Sequence, residues 1–479
     1  MAPYNYDRLS AQDNSFLLAE TPKAHMHVSS TLIYEAGPLR TEDGGIDFER
    51  IKKATAAYLH RIPRYRQKLH FIPFENHAVW VDDQHFSLDY HVRHTALPKP
   101  GSDEQLKRLS ARIMAQPLDR ARPLWETWVV EGLEGDRFAV ITKIHHCMID
   151  GSSGVDIAQI MMSAKPDRSI PEPPSYMPRP TPSNSDLLRD EVLRRASLPF
   201  QILRGARAFA NETDDLLAEV TTRAKILWKM AGMGVTSSDT PINGPLTHHR
   251  SFDWLVVPLD DVKAIRRGLE CSLNDVVLTI ITGAVRELML LRGVDPTHLE
   301  FKIAAPVSVR SDEERGQLGN RVSSWVIALP IGEDDPREQL RIINENTQEL
   351  KQSNQALAIE MIMKAAEVAP AGLLSLGAQA ASGPVNSIVT NVPGPQFPLY
   401  LQGAKLVGLF PQVPLLEGMG VGIALISYDG RICFGFNANP DVLPDLQVFV
   451  RQIERTFAKV ARTAGVELSA DNRQFEVVR

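Results

Sequence analysis

Lys143 to Gly154 reads KIHHCMIDGSSG, and how the chain passes through its two adjacent histidines decides what the surrounding fold must be. The residues leading into it, FAVITKIHH (138–146), alternate and are rich in β-branched types, which predicts a strand. If that strand ends at His146, period-two alternation puts His146 on the face of Phe138, Val140 and Ile144, and His145 on the opposite face with Ile141. The two rings then cannot share one role. MIDG turns the chain, and SSGVDIAQIMM begins a helix with Ser152 or Ser153 as its N-cap. Cys147, turned away from His146 by the same alternation, reads as a small buried filler.

A histidine at a strand end, with an aspartate in the following turn, can be held in one tautomer and presented to a cleft. Its ordinary pKa of about 6.5 leaves a neutral imidazole ready to take a hydroxyl proton. A metal would need further ligands, and the chain has neither HExxH nor a Cys/His cluster nearby, so no metal site is expected. A purely structural histidine pair is the competing reading. The four fixed positions of HHxxxDG arise by chance on the order of once per thousand such chains, which favours base chemistry.

Outward from this stretch, 479 residues allow two or more domains, and 43% hydrophobic with 23% charged residues is ordinary globular composition. A net charge of −6 argues against a nucleic-acid partner. The three cysteines, Cys147, Cys271 and Cys433, lie far apart without CxxC spacing, which fits a reducing cytosol. The polar opening MAPYNYDRLSAQD lacks the pattern of a signal peptide, and no apolar run approaches 18 residues, so a cytoplasmic chain without a membrane span is expected.

Residues 165–185 hold seven prolines and read as an extended linker. The division that follows is an N-terminal domain over 1–170, a proline-rich linker with connector helices over 171–245, and a C-terminal domain over 246–479. In the connector, Leu188, Val192 and Ala196 fall at helical spacing beside several arginines, with a kink at Pro199. Its basic face is either solvated or set against a lipid surface. Both main segments mix helices and strands, an α+β pattern. Helices are predicted over 50–62, after Asp260 or Asp261, from SLND onward with Val277, Ile281, Ala284 and Leu288 inward, and along Phe449, Ile453, Phe457 and Val460 to Gly465. ALISYDGRICFGF (424–436) predicts a hairpin turning at Asp429-Gly430.

HHCMIDG resembles the active-site signature of CoA-dependent acyltransferases, and the whole chain resembles the bacterial wax ester synthase/diacylglycerol acyltransferase family. LSAQDNSFL and HMHV are similar to that family's opening. PLW (123–125), SLNDVVL (272–278), PVSVR (306–310), GN (319–320), NVPGP (391–395) and SYDG (427–430) recur in the family's order, so the likeness spans about residues 8–460.

The resemblance implies two chloramphenicol-acetyltransferase-like domains with an active-site channel between them. It implies transfer of a fatty acyl group from acyl-CoA, as substrate rather than cofactor, to a long-chain fatty alcohol or a diacylglycerol, without an acyl-enzyme. It also implies association with the inner membrane or lipid inclusions. Another hydroxyl or amine acceptor, and a catalytically silent acyl-CoA or lipid binder, are the alternatives; acceptor and chain-length preference are not legible. His146 matches the motif's base, His145 a supporting residue, and Asp150 with Gly151 the loop, with Arg310 as candidate partner of Asp150.

A tetrahedral intermediate needs donors aimed at its oxyanion. Asn274, in the first turn of a helix where the dipole also favours negative charge, is the candidate, against a plain helix-start preference. Ser272 and Asp275 form an S-x-x-D capping box that accounts for Asp275. Pro123, Leu124 and Trp125 read as core or channel scaffold. NVPGP, with two prolines flanking a glycine, predicts a rigid turn in which Asn391 either meets substrate or holds the turn. The basic residues of RIPRYRQK (61–68) are either CoA contacts or a solvated helix end.

Overall fold

The strand expected over 138–146 runs from Arg137 to His145 and is apolar on both faces: Phe138, Ala139, Val140 and Ile141 are all buried. A strand of that kind belongs inside a covered sheet, because each face needs a packing partner. The computed structural model describes residues 6–75, 77–148, 153–197, 237–308, 322–352 and 385–469.

The strands that frame the site are β1 (His27–Glu35), β2 (Val92–Ala96), β3 (Trp125–Leu133), β4 (Arg137–His145), β5 (Ser251–Pro258), β6 (Phe301–Ser308), β7 (Val322–Leu329), β8 (Ser387–Val392), β9 (Tyr400–Leu401), β10 (Ala404–Gln412), β11 (Val421–Tyr428) and β12 (Arg431–Ala438). The helices that matter most are α1 (Ala11–Ala19), α2 (Asp103–Ala115), α3 (Leu273–Leu291), α4 (Pro336–Gln352) and α5 (Leu446–Thr463). Two mixed sheets result, in the orders β9-β10-β1-β4-β3-β2 and β7-β6-β8-β11-β12-β5. The fold is α+β.

Local chemistry explains the elements. Ser272 and Asp275 close a reciprocal capping box at the start of α3, satisfying donors that a helix start otherwise leaves open. Beyond the stripe Val277, Ile281, Ala284 and Leu288, the helix also buries Val276, Leu278, Ile280 and Val285, since α4 and α5 cover its other sides. The hairpin turns at Asp429 and Gly430, whose φ angles of 44° and 78° are those a two-residue primed turn requires. The helix expected over 50–62 runs only from Phe48 to Tyr58, then tightens into two 3-10 turns ahead of Gln67.

The connector's apolar phase differs from expectation. Residues 184–197 are helical, but Leu187 and Glu191 face inward while Val192 and Ala196 are exposed. Leu187 packs with Ile72, Val79 and Val81, and Glu191 binds Arg8, Arg194 and Arg195. Charge pairing, absent from an apolar count, sets that helix's rotation. Pro199 lies outside the described residues.

The two sheets are stitched by a strand exchanged between the chain's halves. β10, from the C-terminal segment, pairs antiparallel with β1 of the first sheet, Gln412 opposite Ser29 and Phe410 opposite Thr31. It passes so close to the second sheet that a Cβ on Gly435 of β12 would sit 1.8 Å from the carbonyl oxygen of Pro411, so only glycine fits. Trp254 of β5 stacks on Phe410 at 4.4 Å, and Lys107 of α2 binds Asp253 at 2.6 Å. One apolar core therefore joins residues of both sheets. Among the described residues, no single helix is long and apolar enough to cross a membrane.

Candidate active site

β4 ends at His145, one residue earlier than alternation predicts, and His146 opens a 3-10 turn through Met148. His146 has therefore left the pleat, and strand alternation no longer sets its direction. What separates the two rings is the turn together with α1.

The backbone N–H of His146 donates to the carbonyl of Met26 at 2.7 Å. Its imidazole stacks on Phe16 of α1 with ring centroids 4.1 Å apart and planes at 28°. Desolvation in this enclosure pulls its pKa down to about 4, so the ring is neutral at neutral pH. The neighbouring Cys147 thiol is buried and burial pushes its pKa well above the ordinary value, which suits a filler and not a nucleophile.

His145 faces another set of groups. Its N–H donates to the carbonyl of Leu124 at 2.9 Å, and its Nδ1 accepts the N–H of Cys147 at 3.2 Å. Its Nε2 lies 3.5 Å from Oε2 of Glu20, the C-cap of α1. His25 Nδ1 and His27 Nε2 approach the other Glu20 oxygen at 3.4 and 3.5 Å, and Arg120 binds Oε2. Burial alone would raise the Glu20 carboxyl, but the His145 and His25 rings facing it and the Arg120 guanidinium bound to it hold it well below the usual carboxylate range. Desolvation, with Lys143 and His145 close by, keeps His27 well below its ordinary value.

Phe16, Glu20, His25, His27 and Arg120 were assigned no role from sequence, although LSAQDNSFL and HMHV hold or adjoin most of them. A signal was present. Phe16 and Glu20 are four apart along α1 and its cap, so they share a side, and His27, which opens β1, stands opposite His145 with His25 two residues before it. Among the described residues, no group of three or more His, Cys, Asp and Glu side chains is arranged to hold a metal ion.

PLW underlies the histidines directly. Leu124 receives the His145 N–H, and the N–H of Trp125 donates to the carbonyl of Pro123 at 2.9 Å. The Trp125 ring is buried between Tyr65 at 4.4 Å and His91 at 4.6 Å, with Nε1 donating to the Tyr65 carbonyl at 2.8 Å. Asp275 is spent on structure: besides capping α3 it accepts from Asn344 at 3.0 Å and Thr347 at 3.4 Å of α4. Asn274 is exposed in the first turn of α3, with no side-chain hydrogen bond to a described residue, and none joins it to His145 or His146.

NVPGP begins inside regular structure, contrary to the turn expected for all of it: Asn391 and Val392 finish β8, and Asn391 pairs with Leu425. The turn starts at Pro393 and is tied to SYDG. Gly394 N–H donates to Ser427 Oγ at 3.1 Å, and a Cβ on Gly394 would meet the Ser427 carbonyl at 2.3 Å. Tyr428 hydroxyl donates to Leu406 and accepts from Leu399, so the two motifs together brace the exchanged strand. Asp150, Gly151 and Arg310 lie outside the described residues.

The description of the wax ester synthase/diacylglycerol acyltransferase catalytic domain matches residues 9–277, and that of the family's C-terminal domain matches 318–461. The chain belongs to this family. This acyltransferase is 31% identical to a probable diacylglycerol O-acyltransferase of Mycobacterium tuberculosis, over 95% of this chain and 96% of that one. It is 29% identical to the O-acyltransferase WSD of Acinetobacter baylyi, over 92% and 94% of the two chains. Among solved structures it resembles the wax ester synthase/diacylglycerol acyltransferase of Marinobacter aquaeolei VT8, with TM-score 0.66, 25% identity and coverage of 96% and 100%. The starter condensation domain of rhizomide synthetase shares the fold alone, at TM-score 0.57 and 13% identity over 99% and 98%.

In this acyltransferase the basic residues of RIPRYRQK differ in setting: Arg61 is exposed and Lys68 pairs with Asp83 at 3.0 Å. Arg64 lies 4.7 Å over the Trp80 ring and Arg66 lies 4.3 Å over Tyr176. Arg64 and Arg66 are thus engaged in cation–π packing.

Proposed function

We propose that this acyltransferase moves a fatty acyl group from acyl-CoA to a long-chain alcohol, giving a wax ester, or to a diacylglycerol, giving a triacylglycerol, with His146 as general base. The observation that carries the reading is the part-buried, neutral imidazole of His146, held by Met26 through its backbone and by Phe16 across its face. His146 takes the acceptor hydroxyl proton as that oxygen bonds to the thioester carbonyl carbon. Collapse of the tetrahedral intermediate breaks the C–S bond, and the CoA thiolate leaves with the proton that His146 holds. Ester and free CoA thiol are the products, and no bond to the enzyme forms.

Asn274 would donate to the oxyanion, a role supported by its exposed amide in the first turn of α3, where the helix dipole also favours negative charge. Asp150 would hold the loop after the histidines, with Gly151 in its turn and Arg310 as its partner. Pro123, Leu124 and Trp125 would act as scaffold for the strand end. Contact with a lipid surface is proposed at the hairpin carrying Phe71 and Phe74, the latter 99% exposed, beside the helix carrying exposed Val192 and Leu193; Glu75 and Arg195 join the two.

The test is direct. Purified protein is mixed with palmitoyl-CoA and either hexadecanol or a dipalmitoylglycerol, and thiol release is followed with lipid product. Thiol and ester in equal amounts are expected with at least one acceptor. Tight palmitoyl-CoA binding without turnover would replace this reading with a silent binder, and product formed only with an amine would move it to condensation chemistry.

A further inference from the structure

We propose that Glu20 is a positioning residue for acyl transfer: it locks His145 in one tautomer and thereby fixes the turn that presents His146. The inference rests on His146 being the base. The backbone N–H of Cys147 donates to Nδ1 of His145, so the proton of a neutral His145 ring is on Nε2. That nitrogen makes no hydrogen bond among the described residues and lies 3.5 Å from Glu20 Oε2, whose negative charge favours the proton there. The same histidine is fixed at its own N–H by Leu124, and the next residue, His146, is fixed by Met26. Ring and backbone are thus held at both ends of a two-residue hinge.

Glu20 is costly to place here. Its side chain is 10% exposed, and a buried carboxylate is tolerated only when paired. A neutral side chain would fill the space with less penalty, yet three histidines and an arginine converge on this one. Arg120 also grips the carbonyl of Leu17 at 3.1 Å, securing the last turn of α1 and so the Phe16 ring against His146. Neither ring nitrogen of the fully buried His27 makes a hydrogen bond, and Glu20 Oε1 lies 3.5 Å from its Nε2. The charged and titratable groups around the hub are His25 and His27 on the β1 side, Lys143, His145 and Cys147 on the β4 side, Arg120 ahead of β3, and Asp13 on α1.

The wrong tautomer at an orienting partner costs an enzyme much of its base catalysis without disturbing binding. Positioned general bases contribute roughly 10²–10⁴ in rate, so loosening one predicts that Glu20→Gln lowers kcat by about tenfold to a hundredfold. KM for palmitoyl-CoA should stay within about twofold. Glu20→Asp, which keeps the charge, should recover part of kcat.

Nitrogen spectra of histidine-labelled wild-type protein should show His145 protonated at Nε2, and Glu20→Gln should convert that signal to a mixture. A wild-type His145 protonated at Nδ1 overturns the proposal whether or not the variants fold. If His146→Ala is inactive while Glu20→Gln keeps full kcat and a single tautomer, Glu20 is not a positioning residue and the base assignment stands. If His146→Ala keeps its activity, the base reading fails and this inference with it.

Discussion

The enclosure of His146 fixes the shape of a pH profile. A base works only when neutral, and an ordinary histidine with a pKa of about 6.5 is about one-tenth neutral at pH 5.5. His146, desolvated to a pKa of about 4, is roughly 97% neutral there. The structure therefore predicts a kcat/KM for palmitoyl-CoA that is flat from pH 7.5 to 5.5, where an exposed histidine would have lost about tenfold. Phe16→Ala removes the ring that stacks on His146 and admits water to that face, so the acid limb should move upward toward 6.5 and produce a several-fold drop at pH 5.5. The assay is initial thiol release across buffers of constant ionic strength, with the folded fraction checked by circular dichroism at each pH. A wild-type limb centred near 6.5, or a Phe16→Ala limb that does not move, would refute the account of how this site sets its proton affinity.

Other consequences concern the scaffold. Trp125→Phe leaves the buried Tyr65 carbonyl without its donor and should cost about 1–3 kcal/mol in urea unfolding, with kcat falling because Leu124 beside it carries His145. Gly435→Ala forces a Cβ onto the Pro411 carbonyl where the exchanged strand passes the second sheet; a loss of about 3 kcal/mol or more is expected, and an unchanged urea midpoint would show that the two sheets are not packed as described. Stability should also fall with acid. His146 and His77 sit at about 4 and His27 and His91 are lowered, all through desolvation, so between about pH 6.5 and 4 the unfolded chain binds protons that the native one does not. The urea midpoint should therefore drop steadily from pH 7 to pH 5.

The parts of this molecule legible in sequence are those set by local rules. The capping box of α3 and the Asp429-Gly430 hairpin each follow from a few adjacent residues. What stayed hidden depends on residues far apart in the chain. Alternation could not show that β4 stops at His145, because the turn is held from outside by Met26 and Phe16. Glu20 looks like an ordinary helix-end carboxylate until β1, β4 and Arg120 bring three histidines and a guanidinium around it. Nor does any periodicity in 404–412 reveal that this strand crosses to the first sheet; that choice is made by Gly435, Trp254 and the register against β1.

The most direct test compares wild-type protein with His146→Ala in thiol release from palmitoyl-CoA, with hexadecanol and with dipalmitoylglycerol, after confirming that both unfold cooperatively. Loss of a general base predicts a fall in kcat of roughly 10²–10⁴ with either acceptor and little change in KM for palmitoyl-CoA. A folded His146→Ala that still makes ester at the wild-type rate would contradict the account.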